Sequence, residues 1–286
     1  MNHQRTISIL AALLLGLAPV TRADEVSDKG REVFKKHQSA IVTVQVVQKI
    51  TTSSGDRTSE PRETKQDITG TVLDSSGLTV LSLSAADPTE MYRRMYEASR
   101  YKIESEIADV KILLEDGTEI PSEIVLRDKD LDLAFIRPKA KVANPMAAVD
   151  FTKSAPAQVL DSVITLNRLG RAAGRAYSAS VERISAVVQK PRTFYIPDSA
   201  MTGTALGSPA FALDGNIVGI LVMRTITSSG GASMINFRPD NATSIILPAE
   251  EVLKAAKQAP EAKGDEVKKE EQKEAPKPAQ SEAEKK

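Results

Sequence analysis

The chain has 286 residues, of which 41% are hydrophobic and 27% are charged, as in ordinary globular proteins. Lys and Arg together number 38, as do Asp and Glu, so the net charge is zero and we expect no nucleic-acid partner. The sequence contains no cysteine, which excludes disulfides, thiolate metal ligands and a cysteine nucleophile.

The first 23 residues have the layout of a secretory signal. A short basic start precedes the apolar run ISILAALLLGLAPV, and small residues follow that run before the acidic pair Asp24 and Glu25. The run is shorter than the roughly 20 residues that a membrane-spanning helix needs. We therefore expect residues 1–23 to be a signal peptide cleaved near Ala23, with an uncleaved anchor as the alternative. The protein is expected to be exported, to the periplasm or another extracytoplasmic space.

The next segments predict a short amphipathic helix and then a first β-domain over about residues 40–140. DEVSDKGREVFKKHQ has apolar residues at helical spacing, and AIVTVQVVQKI alternates and is rich in β-branched residues. The polar segment SSGDRTSEPRETKQD is predicted to be a loop. Hairpins follow in ITGTVLDSSGLTVLSLSA and in VKILLEDGTEIPSEIVLRD, whose tip is Asp116-Gly117, and LDLAFIRP adds a further strand.

One insertion, at about residues 88–107, interrupts the strands. Its Met and Tyr residues recur at helical spacing after a proline, so we predict a helix carrying Met91, Tyr92, Met95 and Tyr96 on one face. This face either packs on the body of the protein or binds a partner, because methionine-rich surfaces adapt to varied ligands.

A second series of strands, over about residues 155–248, includes a predicted hairpin turn at Asp214-Gly215. Two series of short strands joined by Gly, Asp and Pro turns indicate an all-β protein of two domains. LPAEEVLKAAKQ predicts a closing helix, which ends the folded region of residues 24–258. Residues 259–286 are charged and nearly devoid of large apolar side chains, so we expect a disordered tail.

The order of these motifs resembles the trypsin-like serine proteases, in particular the exported high-temperature-requirement (HtrA/Deg) type. The segment TGTVLDSSGLTVLSLSAAD resembles the motif that ends at the catalytic histidine, and its place is taken by Ser84. DLDLAFI resembles the strand that supplies the catalytic aspartate, here Asp132. DSAMTGTALGSPAFALDGNIVGI aligns without gaps on the nucleophile motif, which puts Leu206 at the serine and Thr204 and Leu206 at the oxyanion hole.

The resemblance implies a trypsin-like double β-barrel with short N- and C-terminal helices, one helical insertion and a site in the cleft between the barrels. It also implies a degenerate, pseudoprotease-like member without the usual PDZ domain. Triad chemistry needs a nucleophile, a base and an orienting carboxylate. The only histidines are His3, in the signal segment, and His37, which we interpret as a solvated helix residue.

Other assignments of the site are weaker. A nucleophile at Ser208 would put a proline directly after it and break the spacing to the Asp214-Gly215 turn. Asp130 is an equal alternative to Asp132, and Asp132 either lies in the cleft with Ser84 or caps a turn. The sequence suggests no metal, cofactor or nucleotide site.

We therefore predict a non-proteolytic protein that binds a peptide or protein partner in the cleft. The alternatives are an active serine endopeptidase and a structural envelope protein. The sequence gives no oligomeric state.

Overall fold

A computed structural model describes residues 22–54, 56–89, 101–198, 205–225 and 242–260. The helices are α1 (Arg22–His37), α2 (Leu83–Ala86) and α3 (Ala249–Ala256), and short 3₁₀ turns lie at Gln38–Ala40 and Arg171–Ala173. The strands are β1 (Ile41–Ser54), β2 (Arg57–Thr58), β3 (Arg62–Val72), β4 (Thr79–Ser82), β5 (Tyr101–Leu113), β6 (Glu119–Asp128), β7 (Leu133–Pro138), β8 (Ser162–Arg168), β9 (Tyr177–Val188), β10 (Phe194–Pro197), β11 (Pro209–Ala212), β12 (Ile217–Thr225) and β13 (Ala242–Pro248).

The first barrel consists of strands in the order β1–β3–β4–β7–β6–β5, and β5 pairs back onto β1 to close it. All of these pairs are antiparallel. The short strand β2 adds to the far end of β1. The hairpin predicted at Asp116-Gly117 joins β5 to β6. Its glycine has φ +85°, and the Asp116 carboxylate accepts a hydrogen bond from the Thr118 N–H.

The second barrel closes in the order β10–β13–β12–β11–β8–β9, with β9 pairing onto β10. Its pairs are antiparallel as well. The predicted turn at Asp214-Gly215 is confirmed between β11 and β12. Gly215 has φ +83° and its N–H donates to the Ala212 carbonyl. The predicted all-β, trypsin-like double barrel with short terminal helices is therefore the observed fold.

One of three hydrophobic clusters among the described residues contains strand residues of both barrels. Phe135 of β7 and Phe211 of β11 are fully buried and belong to this cluster. Helix α1 contributes Val33 to it and helix α3 contributes Val252. Both helices lie on strands of the second barrel, α1 on β8 and β9 and α3 on β12 and β13.

Two segments differ from the sequence-based prediction. Residues 62–67, predicted as loop, belong to β3, and residues 101–107, predicted as the end of the helical insertion, belong to β5. Residues 62–67 pair with Gln45–Ile50 of β1, and residues 101–107 pair with Gln48–Ser54. The hydrogen bonds of the ladder hold the polar segment 62–67 extended. In residues 101–107, Ile103 and Ile107 also lie on one face of the strand, and Ile107 packs against the hydrophobic cluster of the first barrel. The Met and Tyr residues of the predicted helix lie outside the described residues.

Residues 1–21 and 261–286, which contain most of the predicted signal peptide and tail, also lie outside the described part of the chain. The start of the predicted tail is held in place, because Arg137 Nε of β7 donates to the Pro260 carbonyl at 3.0 Å. Among the described residues, no helix is long and apolar enough to span a lipid bilayer.

Candidate functional site

A cleft of about 390 Å³ lies where the two barrels meet. The first barrel lines it with Ser84 of α2 and with Leu131 and Asp132 of the β6–β7 connection. The second barrel contributes Phe194 of β10 and Met223 of β12. The structure therefore brings together Ser84 and Asp132, two of the positions that the sequence predicted.

Asp132 occupies this cleft in an unusual backbone conformation. Its φ is +57°, in the left-handed region that few non-glycine residues adopt. The preceding turn is fixed by Asp128, whose carboxylate accepts hydrogen bonds from the N–H groups of Asp130 and Leu131. The Asp132 carbonyl accepts a bond from the Leu83 N–H at 2.8 Å. This bond ties the connection to α2 and presents the Asp132 side chain to the cleft.

Four donors surround the Asp132 carboxylate. Oδ1 accepts from the Ser84 hydroxyl at 2.6 Å and from the Ser84 N–H at 2.7 Å. Oδ2 accepts from the Ser82 hydroxyl at 2.6 Å and from the Met223 N–H at 2.8 Å. The side chain is buried, and burial raises the pKa of Asp132, although the donors favour its charged form. Because each carboxylate oxygen already accepts two hydrogen bonds, the Asp132 carboxylate is held by the surrounding structure.

Ser84, which the resemblance places at the position of the base, cannot act as one. Its hydroxyl donates to Asp132, and a serine hydroxyl does not bind a proton near neutral pH. Ser84 lies in the single turn of α2, which is capped by Ser82 through a hydrogen bond from the Ala85 N–H at 3.3 Å. The turn and the carboxylate therefore stabilise each other through the two serines.

Leu206, which the resemblance places at the position of the nucleophile, is buried with 5% of its surface exposed. It belongs to the hydrophobic cluster of the first barrel, which includes Leu81, Ala85 and Ala134. An aliphatic side chain offers no attacking atom. Its burial excludes water from the contact between the barrels, and full burial of a leucine contributes about 1.5–3 kcal/mol.

The backbone after Leu206 can hold only glycine. Gly207 has φ +90°, and a Cβ at this residue would lie 2.3 Å from the Thr69 carbonyl oxygen. The Gly207 N–H donates to the Leu221 carbonyl at 2.8 Å, and the Thr71 hydroxyl donates to the Gly207 carbonyl at 2.9 Å. These bonds attach the turn to β12 of the second barrel and to β3 of the first barrel.

Ser208 is fully buried, and its hydroxyl has no hydrogen-bond partner among the described residues. A side chain in this position is closed to a substrate, which agrees with the rejection of Ser208 as nucleophile. Thr204, the other predicted oxyanion-hole position, lies outside the described residues. Asp130, the alternative to Asp132, is exposed at the edge of the cleft.

His37 differs from its prediction as a solvated residue. Its ring stacks on Phe211 at 4.3 Å between centroids, and Nε2 lies 3.3 Å from the Gly215 carbonyl oxygen. Burial, together with the charge of Lys36, lowers the pKa of His37, so the ring is mainly neutral at pH 7. His37 lines a separate cavity of about 200 Å³ with Lys36 and Asp150, away from Asp132. It packs α1 on the second barrel.

The double barrel and the order of these positions identify the family. A family model for the trypsin-like peptidase domain matches residues 68–220, more than half of the chain. The chain belongs to the trypsin-like peptidase domain family. The match extends from β3 into β12, so this trypsin-like peptidase domain contains Ser84, Asp132 and Leu206. A search of curated proteins found no match.

Several features of this trypsin-like peptidase domain were missed by the sequence-based reasoning. Ser82 is the first, and it could have been noticed in the sequence because it precedes Ser84 by two residues. A second is Asp67 of β3, which bonds to Arg171 at 3.0 and 3.1 Å and to Arg175 at 2.7 Å, linking the two barrels. Burial acts to raise the Asp67 pKa, but the two arginines and Gln45 outweigh it and lower that pKa to about 2.

Two further observations concern the charge of the cleft and its capacity to hold a metal ion. Four cationic residues from distant segments line it, and no local pattern in the sequence marked them as a group. Within the described ranges, no cluster of three or more His, Asp or Glu residues is arranged to hold a metal ion.

Proposed function

We propose that this protein is a non-proteolytic member of the trypsin-like family, of the exported HtrA/Deg type, which binds a peptide segment of a partner in the cleft between its barrels. One observation carries the proposal. The Asp132 carboxylate, which would orient a catalytic base, is bonded instead to Ser84, the residue at the position of that base.

The bonds between Asp132 and Ser84 argue against proteolysis because of what peptide-bond cleavage requires. Cleavage requires an oxygen nucleophile, a base that titrates near neutral pH and donors for the oxyanion. A serine replaces the base and a buried leucine replaces the nucleophile. Even a complete protease that loses one triad member retains only about 10³–10⁴-fold acceleration over water. A site without the base and the nucleophile is expected to leave proteins intact.

The cleft itself supports binding. Its volume of about 390 Å³ falls in the usual range of ligand pockets, about 300–1,000 Å³. Its lining combines the partly exposed apolar side chains of Leu83, Leu131 and Met223 with a larger number of polar and charged residues, several of them at the exposed edge. A mixed surface of this kind can accept both the apolar and the polar side chains of a peptide.

Export rests on the first residues of the sequence. The basic start, the apolar run and the small residues before Asp24 favour a secretory signal, and the HtrA/Deg resemblance is to exported proteins. The complete lack of cysteine is compatible with an oxidising compartment.

The test is digestion of reduced casein by the purified chain, together with labelling by a serine-directed phosphonate. Trypsin serves as the active control. We expect neither cleavage nor labelling, because the described part of the cleft offers no activated hydroxyl. The Ser84→His, Leu206→Ser double variant is assayed alongside, and any gain of activity in it would assign Asp132 to a cleft of protease geometry. Cleavage by the wild-type chain with phosphonate labelling would overturn the proposal.

A further inference from the structure

Four cationic side chains line the cleft, two from each barrel. Arg127 and Lys129 come from the end of β6 and the connection after it, and Arg192 and Arg224 come from the β9–β10 connection and from β12. A ligand in the cleft therefore meets positive charge on both sides.

Three of these cationic side chains are available to bind a negatively charged ligand. Within the described part of the chain, Arg127, Arg192 and Arg224 form no ion pair. The guanidinium of Arg224 lies over the Phe194 ring, with its carbon 4.8 Å from the ring centroid. This contact holds the Arg224 side chain against the cleft wall and leaves its hydrogen-bond donors for a carboxylate.

The acidic residues of the cleft offset this charge only in part. Asp132 is fully engaged by Ser82, Ser84 and Met223, as described above. Asp87 accepts hydrogen bonds from the N–H and the hydroxyl of Thr89. The third carboxylate, that of Asp130, lies at the exposed edge. The groups open to a ligand are therefore mainly cationic.

We propose that the ligand is an acidic peptide segment, whose carboxylates bind Arg127, Arg192 and Arg224 and whose apolar side chains pack on the partly exposed Leu131 and Met223. Arginine suits this role because its planar donors match a carboxylate in pairs. The alternation of charged and apolar contacts suits an extended peptide, whose successive side chains point in opposite directions. The inference rests on the proposed function and specifies its ligand class.

The experiment selects a random heptapeptide phage library on the purified full chain and on three variants. The Arg127→Gln, Arg192→Gln double variant removes two charges that take part in no ion pair of the described structure, so we expect its melting temperature to equal that of the wild type. Thr225→Glu adds a negative charge at an exposed position of the cleft edge. Arg31→Gln, which removes one positive charge on α1 outside the cleft lining, where it pairs with Asp28, is the control for loss of positive charge elsewhere on the protein.

We expect acidic peptides to be enriched on the wild type and on Arg31→Gln. A synthetic copy of the most enriched peptide should bind the double variant about tenfold more weakly, the effect of losing two partly exposed charge pairs. It should also bind Thr225→Glu more weakly, because the added negative charge repels an acidic peptide. A copy of this peptide with glutamine in place of each glutamate should also bind the wild-type protein about tenfold more weakly. Binding should also weaken at 1 M salt, where charges are screened within about 3 Å.

Other outcomes separate the two proposals. Enrichment of neutral or basic peptides that the cleft variants weaken would retain peptide binding but overturn the acidic ligand. Acidic peptides that bind all variants equally, or that a DNA duplex displaces as well as the peptide itself does, would overturn this site as a specific one. Enrichment of no peptide on any protein would overturn both the ligand class and the proposed binding function.

Discussion

Replacing Leu206 should destabilise the protein, because this side chain fills the contact between the barrels. With 5% of its surface exposed, Leu206→Ala should lower the free energy of unfolding by about 3 kcal/mol, through lost burial and the cavity left behind. Leu206→Ser should cost about 4 kcal/mol, since it also buries a hydroxyl. In a chain of this size each kcal/mol lowers the melting temperature by about 2–4 °C.

The assay is urea unfolding followed by far-UV circular dichroism, because the chain contains no tryptophan. Leu206→Met nearly conserves the volume and should cost less than about 1.5 kcal/mol. Leu160→Ala makes the same truncation at a side chain that is 69% exposed, and should change stability by no more than about 0.5 kcal/mol. If Leu206→Ser unfolds at the same urea concentration as Leu160→Ala, Leu206 does not fill the barrel contact and the reasoning is refuted.

Three further predictions concern other parts of the site. The folded pKa of Asp67, about 2, lies below its ordinary value, so this carboxylate stabilises the fold above about pH 4 and the stabilisation is lost as the pH falls toward 2. The difference in unfolding free energy between wild type and Asp67→Asn should therefore be about 1–2 kcal/mol at pH 6, after screening by water, and should vanish near pH 2; a constant difference would contradict it. Gly207→Ala would place a Cβ 2.3 Å from the Thr69 carbonyl oxygen, and it should lower the free energy of unfolding in urea by more than about 3 kcal/mol. Gly117→Ala has a similar φ but no atom within 4 Å of the added Cβ, and it should lower this free energy by about 1 kcal/mol. Asp132→Asn, which keeps one acceptor oxygen for four donors, should lower stability by about 1–3 kcal/mol; a variant with wild-type thermal unfolding would show that these bonds do not hold the cleft.

Local pattern in the sequence determined most strands and the turns between them. The Asp-Gly pairs at 116–117 and 214–215 lie at hairpin tips because glycine there has positive φ and the aspartate caps the turn. Where a strand faces a barrel interior, its apolar residues alternate or cluster, as in β1 up to Val47. The positions of Ser84 and Asp132 followed from the order of such motifs.

Only the tertiary structure decided the other features. Residues 62–67 are a strand because they pair with β1, and this polar segment has no apolar pattern that would mark it as a strand. Residues 101–107 also pair with β1, and the sequence predicts their alternating Ile103 and Ile107 as part of the helical insertion because of the helical spacing that precedes them. The same holds for contacts between distant segments. Asp67 meets two arginines more than a hundred residues away, and the cleft gathers its arginines from both barrels. A sequence encodes burial and turns residue by residue, whereas the electrostatics of a cleft arises only when closed barrels bring its walls together.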